Sequence, residues 1–214
     1  MTKLKIYQWI ITLLSKLINT ICLPIRLVFA HEVINKMGLC SLRDERYDLV
    51  MEHCRGRLLD IGCGNNQLVR KYGHDSIGVD VYDFGGDAII VENTSKLPFD
   101  DGSFDTVSFV ASLNHIPNRR EVLEEAYRLL SEGGRVVLTM ISPLLGIIRH
   151  KMAWWDPDQH HRGIGKGEQK GLTHKYILSI MENAGFRYIE RKRFIMGMNN
   201  LYIFEKKPII TGKN

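Results

Sequence analysis

The sequence predicts an α/β protein in which a mainly parallel sheet carries helices on both faces. The first observation is the stretch 57–66, RLLDIGCGNN, where an apolar run ends at Asp60 and breaks into a glycine-rich turn. Such a run suits a strand that is buried on both faces, as in parallel sheets. The second observation is the run 76–80, SIGVD, whose final acid, Asp80, follows Asp60 by about 20 residues. Strand, glycine loop, helix, strand and acid in this spacing are typical of a nucleoside-binding unit, because the acid can accept hydrogen bonds from ribose hydroxyls.

The composition is that of one globular domain with an appended segment. Of 214 residues, 44% are hydrophobic and 25% are charged, which is ordinary for a chain with a real core. The net charge of +5 favours anionic surfaces, which include lipid headgroups, phosphorylated substrates and nucleic acid. Because the sequence has no long Lys/Arg run and no interleaving of basic and aromatic residues, no nucleic-acid partner is expected. The four cysteines lack a Cys-x-x-Cys spacing, so a disulfide framework or zinc cluster is not expected and a reducing cytoplasm fits best.

Residues 1–40 are predicted to form a separate amphipathic helical segment. Within 4–29 the polar residues recur mostly at steps of three and four: Lys5, Gln8, Thr12, Ser15, Lys16 and Asn19. On a helix they form one narrow stripe beside a wide apolar face. Pro24 is expected to kink or end the helix.

Three roles for this segment stay open at the level of the sequence. The helix can lie in a membrane interface, with Trp9 in the lipid and lysines near the headgroups, which would give peripheral membrane contact through residues 1–30. It can instead fold back over its own domain as a lid on the substrate cleft. A transmembrane anchor is the third role, although Lys16, Asn19 and Pro24 interrupt any window of about 20 apolar residues.

The other elements follow from apolar periodicity, turn residues and caps. Ser41 can cap a helix over 41–54. Asn118, with Glu121 at the reciprocal position of a capping box, can cap a helix that Gly133-Gly134 ends. Further helices are expected at 66–72 and 173–184. Further strands are expected at 87–91, 104–111, 135–141, 186–194 and 200–205.

Three stretches carry a family resemblance: DIGCG at 60–64, LPFDDGSFD at 97–105 and LLSEGGRVV at 129–137. Together they resemble the class I S-adenosylmethionine-dependent methyltransferases, in particular the branch that includes the ubiquinone/menaquinone-biosynthesis methyltransferases. The resemblance covers residues 43–141 well. It implies a Rossmann-like, doubly wound, seven-stranded mixed sheet whose last strand runs antiparallel, here preceded by the N-terminal amphipathic helical extension. It also implies S-adenosyl-L-methionine as the cofactor. The methyltransferase domain is expected over 41–207, with a flexible tail at 208–214.

The resemblance assigns the cofactor contacts residue by residue. Asp60 organises the methionine end, Asp80 binds both ribose hydroxyls, and Val81 packs on the adenine face. The backbone N–H of Thr94 reaches the adenine ring. Asn93 stands where the family commonly has an aspartate that accepts from the adenine amino group, and its side-chain carbonyl can still accept that bond. The remaining cofactor residues belong to the glycine loop and to the end of the fourth strand: Gly62, Cys63, Gly64 and Val110.

Several of these assignments have a structural alternative. Asp60 can stabilise the loop through backbone N–H groups, Asp80 can be a solvated turn residue, and Cys63 can be a small residue tolerated in a tight turn. Asn66 departs from the family, which often has a third glycine at this position. Because asparagine tolerates a left-handed backbone, we expect the turn to survive with altered contacts.

Candidate catalytic residues follow the fourth strand and lie in a long insertion. Methyl transfer needs the acceptor at attack distance and, for a hydroxyl or an acidic carbon, a base. His115 is the first candidate, since histidine titrates near neutrality; a bond to a loop carbonyl is its structural alternative. His160 and His161 lie in 142–172, a stretch too long for a simple turn, which either covers the substrate or packs on the surface. Adjacent histidines make a poor chelate, so no metal site is predicted.

The sequence therefore predicts a cytoplasmic methyltransferase, peripheral on a membrane if the helix binds lipid. Its acceptor is a hydrophobic or lipid-linked small molecule, such as a prenylated quinone precursor or a lipid-carried glycan intermediate. This preference rests on the N-terminal helix and the mild positive charge. Two alternatives remain: a methyltransferase for a soluble metabolite, with the helix only a lid, and a non-catalytic S-adenosylmethionine-binding subunit.

Overall fold

The structure, a computed structural model, describes residues 3–141, 169 and 171–208. Seven strands form one sheet in these residues: β1 Leu58–Ile61, β2 Ile77–Asp80, β3 Ile89–Ile90, β4 Phe104–Val110, β5 Leu130–Ile141, β6 Phe186–Phe194 and β7 Asn199–Lys206. The predictions for 142–168, which include His160 and His161, and for the tail from residue 209 onward lie outside the described residues.

The sheet has the strand order β3-β2-β1-β4-β5-β7-β6. The five strands from β1 to β5 are parallel, β7 runs antiparallel to β5, and β6 runs antiparallel to β7. The predicted Rossmann-like mixed sheet is confirmed. In such a sheet ligands bind outside the carboxyl ends of the parallel strands, where the order of the strands reverses next to β1.

Helices cover both faces of this sheet. The described helices are α1 Lys3–Ile21, α2 Leu23–Val28, α3 His31–Lys36, α4 Leu42–Met51, α5 Gln67–Tyr72, α6 Arg119–Leu129 and α7 His174–Asn183. Apolar side chains of α6 and α7 form one core with one face of the sheet, and those of α4 and α5 form a second core with the other. Ser41 and Thr173 cap α4 and α7 as predicted, since their hydroxyls accept from the N–H groups of Asp44 and Tyr176.

Strand β1 shows why the sequence around it is continuously apolar. Successive side chains of a strand point to opposite faces, so Leu59 and Ile61 enter the core of α6 and α7 while Leu58 enters that of α4 and α5. All three are fully buried. Burial of one such side chain contributes about 1.5–3 kcal/mol, which fixes the strand from both sides.

Three boundaries differ from the sequence prediction. Strand β3 is short because only Ile89 and Ile90 pair with β2. Strand β5 begins directly after α6, and Gly133, at φ +70°, lies in an irregular stretch of that strand instead of ending the helix. The predicted capping box is also wrong. The Asn118 side chain does not cap α6, because its amide donates to Asn93 Oδ1 at 3.3 Å and so joins two loops.

The N-terminal segment is built of α1, α2 and α3. Pro24 lies in the first turn of α2, where its missing N–H leaves no helical bond unmade, and the chain breaks between α1 and α2 as expected. The described side chains of α1 up to Ile18 are exposed, which does not favour a lid packed on the domain. Among the described helices none is both long and apolar enough to cross a membrane.

Candidate active site

The glycine loop after β1 makes a close approach to the loop after β4. Gly62 has φ +76°, and a Cβ atom on it would stand 2.5 Å from the Cβ of Ser112. The Ser112 hydroxyl donates to the Ile61 carbonyl at 2.6 Å. Glycine at position 62 is therefore required both by the left-handed backbone and by this contact.

Asn66, which stands at the position of the family's third glycine, keeps the turn. It adopts φ +62°, as the sequence predicted for an asparagine there, and its side chain is buried. Its amide nitrogen lies 3.3 Å from the Asp87 carbonyl and 3.2 Å from Asp87 Oδ1. The asparagine thus ties the glycine loop to the chain just before β3, a contact that glycine cannot make.

Asp80 links the end of β2 to the glycine loop after β1. Its Oδ2 accepts from the Gly64 N–H at 2.8 Å and its Oδ1 accepts from the Tyr82 N–H at 3.1 Å. The side chain is buried, so it is not the solvated turn residue of the alternative reading. A carboxylate can accept about four hydrogen bonds, so these two bonds are compatible with donation from ribose hydroxyls as well.

Asp60 is a buried acid at the end of β1. Burial raises its pKa to about 7, the Ser108 hydroxyl that donates to Oδ1 at 2.6 Å opposes this, and the charge of Asp80 raises it further. A carboxyl group in this state gains from a nearby cation, which would favour its ionised form. The amino group of an amino-acid moiety has the required charge.

A cleft of about 330 Å³ opens between these strand ends and the loop after β4. Six predicted site residues line it: Gly62, Asp80, Val81, Asn93, Thr94 and His115. The structure does not bring the other predicted cofactor residues to its wall. The residues concerned are Asp60, Cys63, Gly64 and Val110. The lining also includes Ser112, Ile116 and Pro117, which belong to the loop after β4.

Cys63 has a packing role in the turn. Its side chain is 5% exposed, and its sulfur lies against β2, so that a Cβ added to Gly78 would stand 2.8 Å from it. Burial is the main cause that raises the pKa of its thiol above the usual value. A raised thiol pKa opposes nucleophilic chemistry, in agreement with the small-residue reading.

The Asn93 oxygen, predicted to accept from adenine, already has partners within the protein. It accepts from the Ser95 N–H and the Ser95 hydroxyl, both at 2.9 Å, and from the Asn118 amide. These bonds fold the 93–95 turn at the cleft. The adenine contact stays a prediction, and any such bond would have to share this oxygen.

Sequence reasoning missed a contribution from α4. Tyr47 lies on the buried face of α4, and burial and the charge of Asp60 together raise the pKa of its hydroxyl to about 12. The Arg43 guanidinium lies 5.9 Å from the centre of the Tyr47 ring and partly offsets this. Helix α4 therefore brings a phenol and a cation toward the end of β1. A polar aromatic residue on the buried face of that helix was the signal available in the sequence.

His115 lies in the loop after β4, next to Asn114. The backbone N–H of His115 donates to the Ser112 carbonyl at 2.9 Å, and the residue lines the cleft. Next to it, Asn114 and Gln169 exchange two hydrogen bonds, with Asn114 Nδ2 donating to the Gln169 carbonyl at 3.1 Å and the Gln169 N–H to the Asn114 carbonyl at 3.0 Å. The second end of the insertion is therefore attached beside the cleft.

Fold and site together define a doubly wound α/β domain built to hold a nucleoside next to an amino-acid group. Residues 35–191 match a family described as a methyltransferase domain. The match covers most of the chain, so the protein belongs to this family. Residues 35–191 thus form a class I, S-adenosylmethionine-dependent methyltransferase domain, as the motifs predicted, and the cofactor of this family is S-adenosyl-L-methionine.

Relatives of known name agree with this class. The 27-O-demethylrifamycin SV methyltransferase of Amycolatopsis mediterranei is 33% identical over 105 residues, which are 38% of this chain and 37% of that protein. The ubiquinone/menaquinone biosynthesis C-methyltransferase of Brucella canis is 26% identical over 157 residues, 66% of this chain and 54% of that protein. The chain thus spans little more than a third of the first relative and little more than half of the second.

A solved structure supports the fold. The S-adenosylmethionine-dependent methyltransferase of Thermotoga maritima superposes with a TM-score of 0.55 at 18% identity, over 77% of this chain and 95% of that one. At this identity the likeness concerns the fold alone.

The residues at this edge of the sheet fit S-adenosylmethionine. On the cleft wall, Asp80 offers acceptors for a ribose, and Val81 presents an apolar side chain that is 53% exposed for a purine face. Asp60 does not line the cleft, but it is a buried carboxyl group with a raised pKa that a nearby ammonium would lower. Among the described residues no group of His, Cys, Asp and Glu side chains is arranged to hold a metal ion.

Proposed function

We propose that this protein transfers a methyl group from S-adenosylmethionine to a hydrophobic small-molecule acceptor, with a lipid-linked compound as the preferred kind. One observation carries the proposal: Asp80, Val81 and Thr94 share a single cleft with His115 and with the apolar residues Ile116 and Pro117. The first group suits the cofactor, and the second supplies a candidate base beside an apolar wall.

The bound cofactor supplies an electrophilic methyl group on a sulfonium sulfur. The protein has to hold the acceptor in line with that methyl group, and correct positioning alone can account for much of the rate. Asp80 and Gly62 hold the nucleoside side in place. His115 takes the proton from an acceptor hydroxyl or acidic carbon as the new bond forms, which contributes about 10²–10⁴-fold in comparable reactions.

The hydrophobic acceptor has two supports. The names of two relatives refer to rifamycin and to ubiquinone or menaquinone biosynthesis. In addition, the described part of the segment 1–30 exposes a broad apolar surface. We place the protein in the cytoplasm, with residues 1–30 in peripheral contact with a membrane. The insertion 142–172 is proposed to cover the acceptor, and His160 and His161 remain secondary candidates for the base.

Calorimetry tests the cofactor site. S-adenosylmethionine and S-adenosylhomocysteine should both bind, and Asp80→Ala should remove most of the affinity. Asp83→Ala is a matched control, because Asp83 is exposed and, within the described part of the chain, its side chain accepts only from the nearby Gly85 N–H. The absence of binding by the unaltered protein would end the proposal.

Transfer of a labelled methyl group tests the acceptor class. The protein is incubated with labelled cofactor and either a lipid extract or the soluble metabolites of the same cells. Label in the lipid fraction supports the proposal, and label only in the soluble fraction contradicts the lipid-linked acceptor. His115→Ala should lower the rate about 100-fold or more with cofactor affinity unchanged, whereas His74→Asn, at an exposed left-handed position, should not.

A further inference from the structure

Exposed large apolar side chains concentrate on α1. Tyr7, Ile11 and Ile21 are each about two-thirds exposed, at 65%, 65% and 69%, and Trp9 reaches 60%. A monomeric protein rarely exposes a contiguous apolar patch of more than a few hundred Å², and larger ones mark interaction sites. The helix also has a defined apolar side. Residues Ile10, Leu14, Leu17 and Ile21 follow one another at three- and four-residue steps opposite the polar stripe of Gln8, Thr12 and Ser15.

The charge of this segment selects the kind of partner. Between residues 3 and 29 the sequence has three lysines and Arg26 but no aspartate or glutamate. A second copy of the chain would bring the same cations together across a symmetric contact, which opposes self-association. An anionic lipid surface offers both an apolar interior for the wide face and opposite charge for the lysines.

Arg26 attaches this helix to the domain. It is 5% exposed, its Nε donates to the Cys40 carbonyl at 2.7 Å, its Nη1 donates to the Asn19 carbonyl at 2.9 Å, and its Nη2 pairs with Glu45 of α4. The Cys40 N–H in turn donates to Asn19 Oδ1 at 2.9 Å. The last turn of α1, the chain before α4 and α4 itself are thus joined at one buried guanidinium, which we term the Arg26 clasp. A flexible tether would not need such a junction.

We propose that α1 lies in the interface of an anionic membrane and that the Arg26 clasp holds it at a fixed angle to the catalytic domain. Docking would then orient the cleft toward the bilayer. The clasp ends on α4, and Tyr47 and Val50 of α4 pack in one core with Leu58 of β1, the strand that leads into the glycine loop. The docking helix and the cleft are therefore connected through α4. This inference rests on the proposed membrane contact, and it adds the headgroup charge and the fixed attachment.

Co-sedimentation of the full-length protein with vesicles tests the partner. Vesicles of phosphatidylcholine with phosphatidylglycerol should retain the protein at least 10-fold better than vesicles of phosphatidylcholine alone. The variant Ile10→Gln/Leu17→Gln should lose about 10-fold or more in binding to the anionic vesicles, because two exposed apolar side chains no longer enter the lipid. The control Thr12→Gln/Ser15→Gln changes the same number of residues on the polar stripe and should bind as the parent does.

Two outcomes would overturn the docking proposal. One is equal binding of the apolar-face variant and its control to anionic vesicles. The other is a parent protein that does not bind vesicles but is dimeric by light scattering and becomes monomeric in the apolar-face variant. Calorimetry with the cofactor in the absence of vesicles is independent of both outcomes, so a failed docking proposal can be told from a failed catalytic one.

Hydrogen exchange tests the clasp. In Arg26→Gln the amides of α2 and of the last turn of α1 should exchange at least 10-fold faster, with vesicle binding within about twofold of the parent, since the apolar face is intact. Arg26→Lys should give a similar result, because an ammonium cannot reproduce the planar fork that reaches three partners. Unchanged exchange in both variants would show that Arg26 does not fix the helix.

Discussion

Asp60 and Asp80 end neighbouring strands, yet their surroundings differ. Asp80 accepts from the backbone N–H groups of Gly64 and Tyr82, whereas Asp60 is buried and, among the described residues, accepts from the Ser108 hydroxyl alone. A buried acid with few donors is costly to ionise, and a nearby cation makes its ionised form more favourable. Buried acids with strongly shifted pKa values are typical of ligand-binding and active sites.

The pH dependence of stability should report this state of Asp60. Because its pKa is raised from 3.8 to about 7 in the folded protein, its contribution is fully present below pH 4 and is lost as the pH rises toward 7. The loss amounts to about 4 kcal/mol at most, from about three pKa units. Urea unfolding at pH 5 and pH 8 should therefore show a larger decline for the parent than for Asp60→Asn. Equal declines would mean that Asp60 is ionised in the fold.

The contact between Gly78 and Asn66 gives a second prediction. A Cβ on Gly78 would stand 2.0 Å from Asn66 Oδ1, so Gly78→Ala should destabilise the protein by about 1–3 kcal/mol. In the double variant Asn66→Gly/Gly78→Ala the obstructing side chain is absent and part of this loss should be recovered. A double-mutant cycle in urea measures the coupling. Additive effects would contradict the contact.

At the scale of elements, the Leu-Pro-Phe motif of the sequence is held by α6. Glu125 accepts from the Leu97 N–H at 2.7 Å and from the Arg128 guanidinium, which itself donates to the Phe99 carbonyl at 2.9 Å. These bonds fix residues 97–99, which follow the Asn93 turn, to α6. The motif recognised in the sequence is thus a structural support for the 93–95 turn at the cleft.

Glu125→Gln should weaken this support. Losing a charge-assisted bond to Arg128 in a nearly buried site should cost about 1–3 kcal/mol, whereas Glu124→Gln, on an exposed pair with Arg120, should cost about 0.5 kcal/mol or less. The hydrogen bond from Arg128 and that from the Leu97 N–H lower the pKa of Glu125 against the opposing effect of burial. The stabilisation is therefore present at neutral pH and is lost as the pH falls through the lowered pKa. The free energies of unfolding of the two variants should therefore approach each other in acid. A constant difference from pH 7 to acid would contradict the ionic part of this assignment.

At the scale of the whole molecule, cofactor binding should couple to global stability. The cleft joins β1, β2 and the loop after β4, so a ligand there contacts both halves of the sheet. S-adenosylhomocysteine at 100 times its Kd should add about 2.7 kcal/mol to the free energy of unfolding, provided that it binds only the folded state. For a chain of this size the Tm should rise by about 5–10 °C. Calorimetric scans of Asp80→Ala should show no such rise, and a rise equal to that of the parent would place the ribose elsewhere.

Much of this molecule follows from patterns that are local in the chain. The glycine loop, the acids near the ends of β1 and β2 and the caps Ser41 and Thr173 were predictable, because each depends on residues within one strand, turn or helix end. The seven-stranded mixed sheet followed only from the family resemblance. The family and its cofactor follow from the same short motifs. Gly133 and Asn118 were misread because the strand pairing of β5 and the bond to Asn93 involve partners distant in sequence.

Tertiary structure decided the contacts that join distant segments. The bonds from Asn66 to Asp87 and from Leu97 to Glu125 join residues 21 and 28 positions apart, and the Arg26 clasp ties α1 to α4. Burial and the charge of Asp60 raise the pKa of Tyr47, which lies on a different element, α4. The physical reason is that local patterns determine which face of an element is apolar, whereas the partner that each polar side chain meets depends on how the elements pack.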